Sequence, residues 1–106
     1  MNELTEQTFR VAADDALDAL RRALGPLADE ADFEVELQNG VLQVVFEDPK
    51  PGKFVISPNA PVRQIWVSAL SRSFKLSWDA TAGTFALEGE SLPALLDRLV
   101  RQFLAG

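Results

Sequence analysis

The 106-residue chain contains neither cysteine nor histidine. Without cysteine there is no disulfide framework and no thiolate nucleophile. Without histidine the usual general base near neutral pH is missing, and serine and threonine hydroxyls have no imidazole to activate them. The side chains that most often hold zinc, copper or an iron–sulfur cluster are gone as well. No glycine-rich phosphate loop is present. These absences argue against an enzyme of conventional chemistry and against a tightly bound cofactor. No apolar run approaches the roughly 20 residues that span a bilayer. The opening residues, Met-Asn-Glu-Leu-Thr-Glu, lack the basic start and apolar stretch of a signal peptide. A cytoplasmic protein without a membrane partner is therefore expected, and the lack of cysteine suits a reducing compartment.

What is present is enough for one domain over residues 1–106. An apolar content of 47% suits a folded chain with a modest core. The net charge of −6 is unevenly spread: residues 1–48 carry 12 acidic and 3 basic side chains, and residues 49–106 carry 4 acidic and 7 basic. An acidic half points to a cation or a basic protein partner, and equally fits a solvated face that keeps the protein soluble. It argues against nucleic acid, which requires a basic footprint.

Carboxylates are the remaining chemistry, and they suit hard, oxygen-seeking cations such as ferric iron and, less tightly, ferrous iron, calcium or manganese. Asp14 and Asp18 are one helical turn apart, with Cβ atoms about 5–6 Å from each other, and Asp15 lies beside them on a shifted face. Asp32, Glu34 and Glu36 line one face of a predicted strand at intervals of about 6.5–7 Å, too wide for a rigid chelate. Asp29 and Glu30 extend that row into the preceding loop. Arg21 and Arg22 place positive charge beside the helical acids, and Arg22 pairs with Asp18 at i, i+4.

The first segment carries apolar residues at Phe9, Ala13, Ala16/Leu17, Leu20 and Leu24, the spacing of a helix. Asn2 or Thr5 caps its start, and Gly25-Pro26 is expected to end it. Phe33, Val35 and Leu37 alternate with polar residues, Asn39-Gly40 signals a hairpin turn, and Leu42, Val44 and Phe46 follow as the next inward set. Glu47 to Lys53, with Pro49, Pro51 and Gly52, reads as a loop before a strand at Phe54-Val55-Ile56. Phe74 to Trp78 and Thr84 to Leu87 read as two further strands, with Trp78 facing the core. Ser91 caps a final helix with Pro93 in its first turn and a stripe of Leu92, Leu95, Leu96, Leu99, Val100 and Phe103.

Residues 62–70 fit two patterns. As a helix, Val62, Ile65, Trp66, Ala69 and Leu70 share a face, and the element order matches small acidic secretion chaperones, which are dimeric and have no metal role. As a strand over Gln64 to Ser68, Ile65 and Val67 point inward, and Gln64, Trp66 and Ser68 point outward. A tryptophan on the open face of a sheet suits an interface, because tryptophan is typical of binding hot spots. The other reading leaves Trp66 half-exposed and packed on its neighbours.

The segment Pro61-Val62-Arg63-Gln64-Ile65-Trp66, with Phe74 to Trp78 after it, resembles the signature of the frataxin family, a Pro, two variable residues, then Gln-Ile/Val-Trp. The ordered set of acidic first helix, acidic strand, Asn-Gly hairpin, Trp strand, second Trp and amphipathic last helix is similar to that family over nearly the whole chain. Two departures stand out. Ser57 occupies a place where many members have Asn. Arg21, Arg22, Gly25 and Pro26 lie where bacterial members are rich in carboxylates.

The resemblance decides between the two patterns and implies a two-layer α/β (α+β) sandwich, with two helices on one face of an antiparallel sheet in the order helix, six strands, helix. It implies an accessory and regulatory protein of iron–sulfur cluster assembly that binds iron weakly at its surface and is not an enzyme, although ferroxidase activity is credited to some members. Partners implied are a cysteine desulfurase and its scaffold protein, met by the acidic residues and by Gln64, Trp66 and Ser68. A monomer that oligomerises with iron is expected.

Overall fold

The computed structural model describes residues 4–48 and 50–106. Helix α1 spans Glu6–Ala31. Thr5 is its N-cap, its hydroxyl accepting from the Thr8 N–H at 3.2 Å. Asn2, the other candidate cap, lies outside the described residues, as does Pro49. The buried stripe is Phe9, Ala13, Leu17, Leu20 and Leu24, as the 3.6-residue period requires.

The expected stop at Gly25-Pro26 does not occur, and the helix continues for five residues beyond Pro26. A proline within a helix costs about 3 kcal/mol, chiefly through a lost N–H and a clash. Part of the strain on the preceding residue involves its Cβ, which Gly25 lacks. The continuation is held by packing, since Leu27, Ala28 and Ala31 all rest on the core. The helix ends instead at Asp32, which takes a left-handed conformation with φ 60° and donates its N–H to the Ala28 carbonyl.

The sheet consists of β1 (Glu34–Gln38), β2 (Val41–Phe46), β3 (Gly52–Asn59), β4 (Gln64–Ala69), β5 (Arg72–Asp79), β6 (Thr84–Leu87) and β7 (Glu90–Ser91). All neighbours are antiparallel, and their spatial order follows the sequence. The two-residue β7 is a strand beyond the six expected. β3 begins at Gly52, so the loop before it is shorter than the proline and glycine content suggests. A 3-10 turn over Ala60–Val62 links β3 to β4. Residues 64–69 are therefore a strand, and the helical pattern across 62–70 is not realised.

Three two-residue turns, Asn39-Gly40, Leu70-Ser71 and Glu88-Gly89, have positive φ at both positions. That backbone matches the right-handed twist of paired strands. Leu70 reaches φ 54° without being Asn or Gly, held by the flanking Ala69↔Arg72 pair. Between β5 and β6, Asp79 closes the turn by accepting the N–H groups of Thr81 (3.0 Å) and Ala82 (3.1 Å) on one carboxylate oxygen.

Helix α2 (Leu92–Ala105) starts at the Ser91 cap, whose hydroxyl accepts from the Ala94 N–H at 3.4 Å. Both helices pack on the inner sheet face. Its Phe103 ring lies 4.3 Å from that of Phe46 and edge-on to Phe54. Phe103 also lies directly under Gly52, where a Cβ would fall 2.5 Å from its Cζ. No polar or charged residue is buried among the described residues. The fold's specificity thus rests on apolar shape, and among the described residues no helix covers the other sheet face.

Candidate functional site

That uncovered face displays the outward residues of each strand. Trp66 stands on it at 37% exposure, as the alternation along β4 requires. Its indole N–H donates to the Gln64 side-chain oxygen at 3.0 Å. The Gln64 amide N–H in turn reaches the Ser77 hydroxyl of β5 at 3.3 Å. Lys75, opposite Trp66 in the β4–β5 register, holds its ammonium 4.9 Å from the ring centroid. A cation over an indole face is attractive by about 0.5–1 kcal/mol at an exposed site. Both contacts favour this one orientation of the indole.

Gln64, Trp66 and Ser68 lie on the same face, as expected. Sequence reading missed Lys75 and Ser77. They sit on the neighbouring strand, and only the register brings them beside Trp66. The period-2 pattern of β5 marks both as outward, but it does not mark what they face.

The acidic residues separate into groups. Asp14 borders a hollow with Arg10, the Asn39-Gly40 turn and Pro58, whereas Asp15 lies on the opposite flank of α1, beside Trp78 and Gly83. One residue of offset turns a helical side chain through 100°, and here that puts the neighbours on different sides. Asp18 is clamped by Arg21 at 2.8 Å and by Arg22 at 2.9 Å. The Arg21 hydrogen bond, with help from the nearby Arg22 charge, holds the Asp18 carboxyl below its ordinary range.

Asp29 and Glu30 lie in the last turns of α1 and not in a loop. Asp32 is the left-handed helix cap and not part of a strand. Glu34 and Glu36 face outward on β1, as the alternation demands. Asp29, Glu34 and Glu36 line one shallow groove between α1 and β1, together with Arg21. The groove thus contains three carboxylates and one guanidinium. Among the described residues, no three His, Cys, Asp or Glu side chains converge in an arrangement that could cage a metal ion. Carboxylate oxygens are the donor type that hard cations take.

Trp78 lies on the inner face, with its ring edge-on to Phe85 at 5.2 Å. It packs against the core but is only half-buried, because it also floors a recess beneath Val11, Ala12 and Ala16 of α1. Among the described residues, no helix is long and apolar enough to cross a membrane.

A family model described as a frataxin-like domain matches residues 2–105. The iron-sulfur cluster assembly protein CyaY of Pseudomonas aeruginosa is 38% identical over 88 residues, covering 79% of this chain and 80% of the relative. The protein of that name from Azotobacter vinelandii is 33% identical over 100 residues, covering 91% and 86%. The one from Cupriavidus metallidurans is 32% identical over 104 residues, covering 96% and 92%.

Proposed function

The chain belongs to the frataxin-like family, and from that premise we propose that it serves iron–sulfur cluster assembly as an accessory protein and not as an enzyme. It acts in the cytoplasm, by docking onto a cysteine desulfurase and its scaffold protein. The observation that carries this reading is Trp66, half-exposed on an uncovered sheet face and pinned by Gln64 and Lys75. A rigid aromatic side chain loses little freedom on binding, so most of its contact area is available as affinity.

The acidic side of the molecule has two tasks in this reading. It attracts a basic desulfurase surface, because complementary fields speed encounter. It also takes iron as cargo, weakly, through Asp29, Glu34 and Glu36 of the α1–β1 groove, with Glu30 and Asp32 at its margin. Asp14 and Asp15 are secondary positions. Asp18, clamped by two arginines, contributes least, since a cation must displace a guanidinium to reach it. The protein works as a monomer and associates further when iron accumulates.

A pull-down of a cysteine desulfurase and scaffold complex, followed by cluster-assembly kinetics with and without iron, tests the proposal. Binding that is lost in Trp66→Ala, together with a changed assembly rate, is the expected result. Full binding by Trp66→Ala, or an assembly rate indifferent to the protein, would refute it.

A further inference from the structure

The ring of Trp66 forms one wall of a shallow recess of about 380 Å3 on the uncovered sheet face. The register explains its lining. Ser57, Trp66 and Lys75 form one row across β3, β4 and β5, and Val55, Ser68 and Ser73 form the next. The floor is apolar at Val55. The rim carries three hydroxyls, each with a proton to donate, and one ammonium with three. Among the described residues no carboxylate lines the recess. The nearest along the Val55 row is Glu36, two strands away through Gln43. Among the described residues, Lys75 is in none of the ion pairs. Its ammonium lies 4.9 Å from the centroid of the indole ring.

We propose that this recess accepts a carboxylate-bearing side chain, Asp or Glu, from the protein that docks on this face, with Lys75 as the specificity-determining residue. The proposal deepens the reading of this face as a partner surface. The recess has room for one side chain. The aliphatic part of an acidic side chain rests on Val55 and the edge of Trp66. Its carboxylate then meets the Lys75 ammonium and the hydroxyls of Ser57, Ser68 and Ser73. A lysine or arginine in the same position would face Lys75 and be repelled. The partner is therefore read in two signs: basic groups against the α1–β1 groove, an acidic group beside Trp66.

The test is an NMR titration of the free protein with three capped tripeptides, acetyl-Leu-Glu-Leu-amide and its Gln and Lys counterparts, at millimolar concentration. The glutamate peptide is expected to shift the Trp66 indole N–H and the amides of Ser57, Ser68 and Ser73. The glutamine peptide should need about fivefold more for the same shift, the value of one exposed charge contact, and the lysine peptide should leave these signals in place. Lys75→Met keeps the aliphatic stem and should move the glutamate midpoint by the same factor; Lys75→Gln should do likewise. Equal responses to the glutamate and glutamine peptides, an unchanged midpoint in both variants, or no shift at these four signals would overturn the proposal. Failure of the wild-type chain to bind a desulfurase and scaffold complex would instead sink the proposed function, and the peptide result would stand apart from it.

Discussion

Gly52→Ala adds one methyl group at the start of β3, and the structure gives the methyl nowhere to go. Its Cβ would lie 2.5 Å from Cζ and 2.7 Å from Cε1 of Phe103. Carbon atoms pack at about 3.5–4.0 Å, so the ring must retreat by about 1 Å. Phe103 cannot retreat freely, because Phe46 lies 4.3 Å away centroid to centroid and Phe54 meets it edge-on. Overpacking of this kind costs about 1–3 kcal/mol. The alanine also narrows the unfolded ensemble, which offsets about 0.4–1 kcal/mol. A net loss of about 1–2 kcal/mol is expected, or a fall in melting temperature of about 5–10 °C for a domain of this size. Urea unfolding followed by tryptophan fluorescence should show a lower midpoint with an unchanged slope. The double mutant with Phe103→Leu makes the test specific. Leucine is shorter at the contact, so Gly52→Ala should cost almost nothing in that background, giving a coupling of about 1 kcal/mol or more. A neutral or stabilising Gly52→Ala, or a cost that persists beside Leu, would refute the packing argument.

Trp78→Ala should cost about 2–4 kcal/mol, since it removes the ring packed on Phe85, whereas Trp66→Ala should cost less in stability and about 2 kcal/mol in partner binding. Thermal melts that reverse the order would contradict the assignment of the two faces. Titration with a lanthanide surrogate of iron should perturb the amides of Asp29 to Glu36 first and those of Asp14 and Asp15 later, and should fade at high salt. Arg21→Glu should strengthen it by removing the cation from the groove and one of the two arginines on Asp18, and perturbations confined to residues 50–106 would count against the site. Glu90 is held below its ordinary range by a two-pronged hydrogen bond from Arg98, at 2.8 and 2.9 Å. Its contribution is thus complete above the ordinary glutamate range and vanishes as pH falls through the lower native value. Urea midpoints of Glu90→Gln and wild type should differ slightly at neutral pH and converge in acid; a gap that widens in acid would reverse the sign.

The alternation of β2 and β4 and the stripe of α2 were legible in the sequence because each is a local period set against one apolar layer. So was the outward placement of Trp66. The end of α1 was not. Gly25 and Pro26 are strong local stop signals, and what overrides them is the packing of Leu27, Ala28 and Ala31, each partly buried, against the apolar core, which a local reading does not see. That error displaced Asp29, Glu30 and Asp32, which belong to the helix end and its cap. β7 escaped because two residues are too few to show a period. The Leu70-Ser71 turn carries no Asn-Gly signal, so its positive φ values follow from the hairpin and not from its residues. Lys75 and Ser77 lay beyond reach for a related reason: a pattern shows which face a side chain takes, while register decides its neighbours.

The true end of α1 is also a place of electrostatic frustration. A helix presents about half a negative charge at its C-terminus, where basic residues are favoured. This helix has none in its last turn, and it brings Asp29, Glu30 and Asp32 to that pole. Among the described residues none of these three acids is in an ion pair, and Arg21 is the one cation lining the adjoining groove, so the corner carries tension that a docked cation or basic surface would release. Whatever binds there should raise the melting temperature as its concentration rises past its Kd, with the logarithm of that concentration, by linkage between binding and folding. The molecule would then be most stable when loaded and most easily unfolded when idle, which makes its thermal stability a gauge of its cargo.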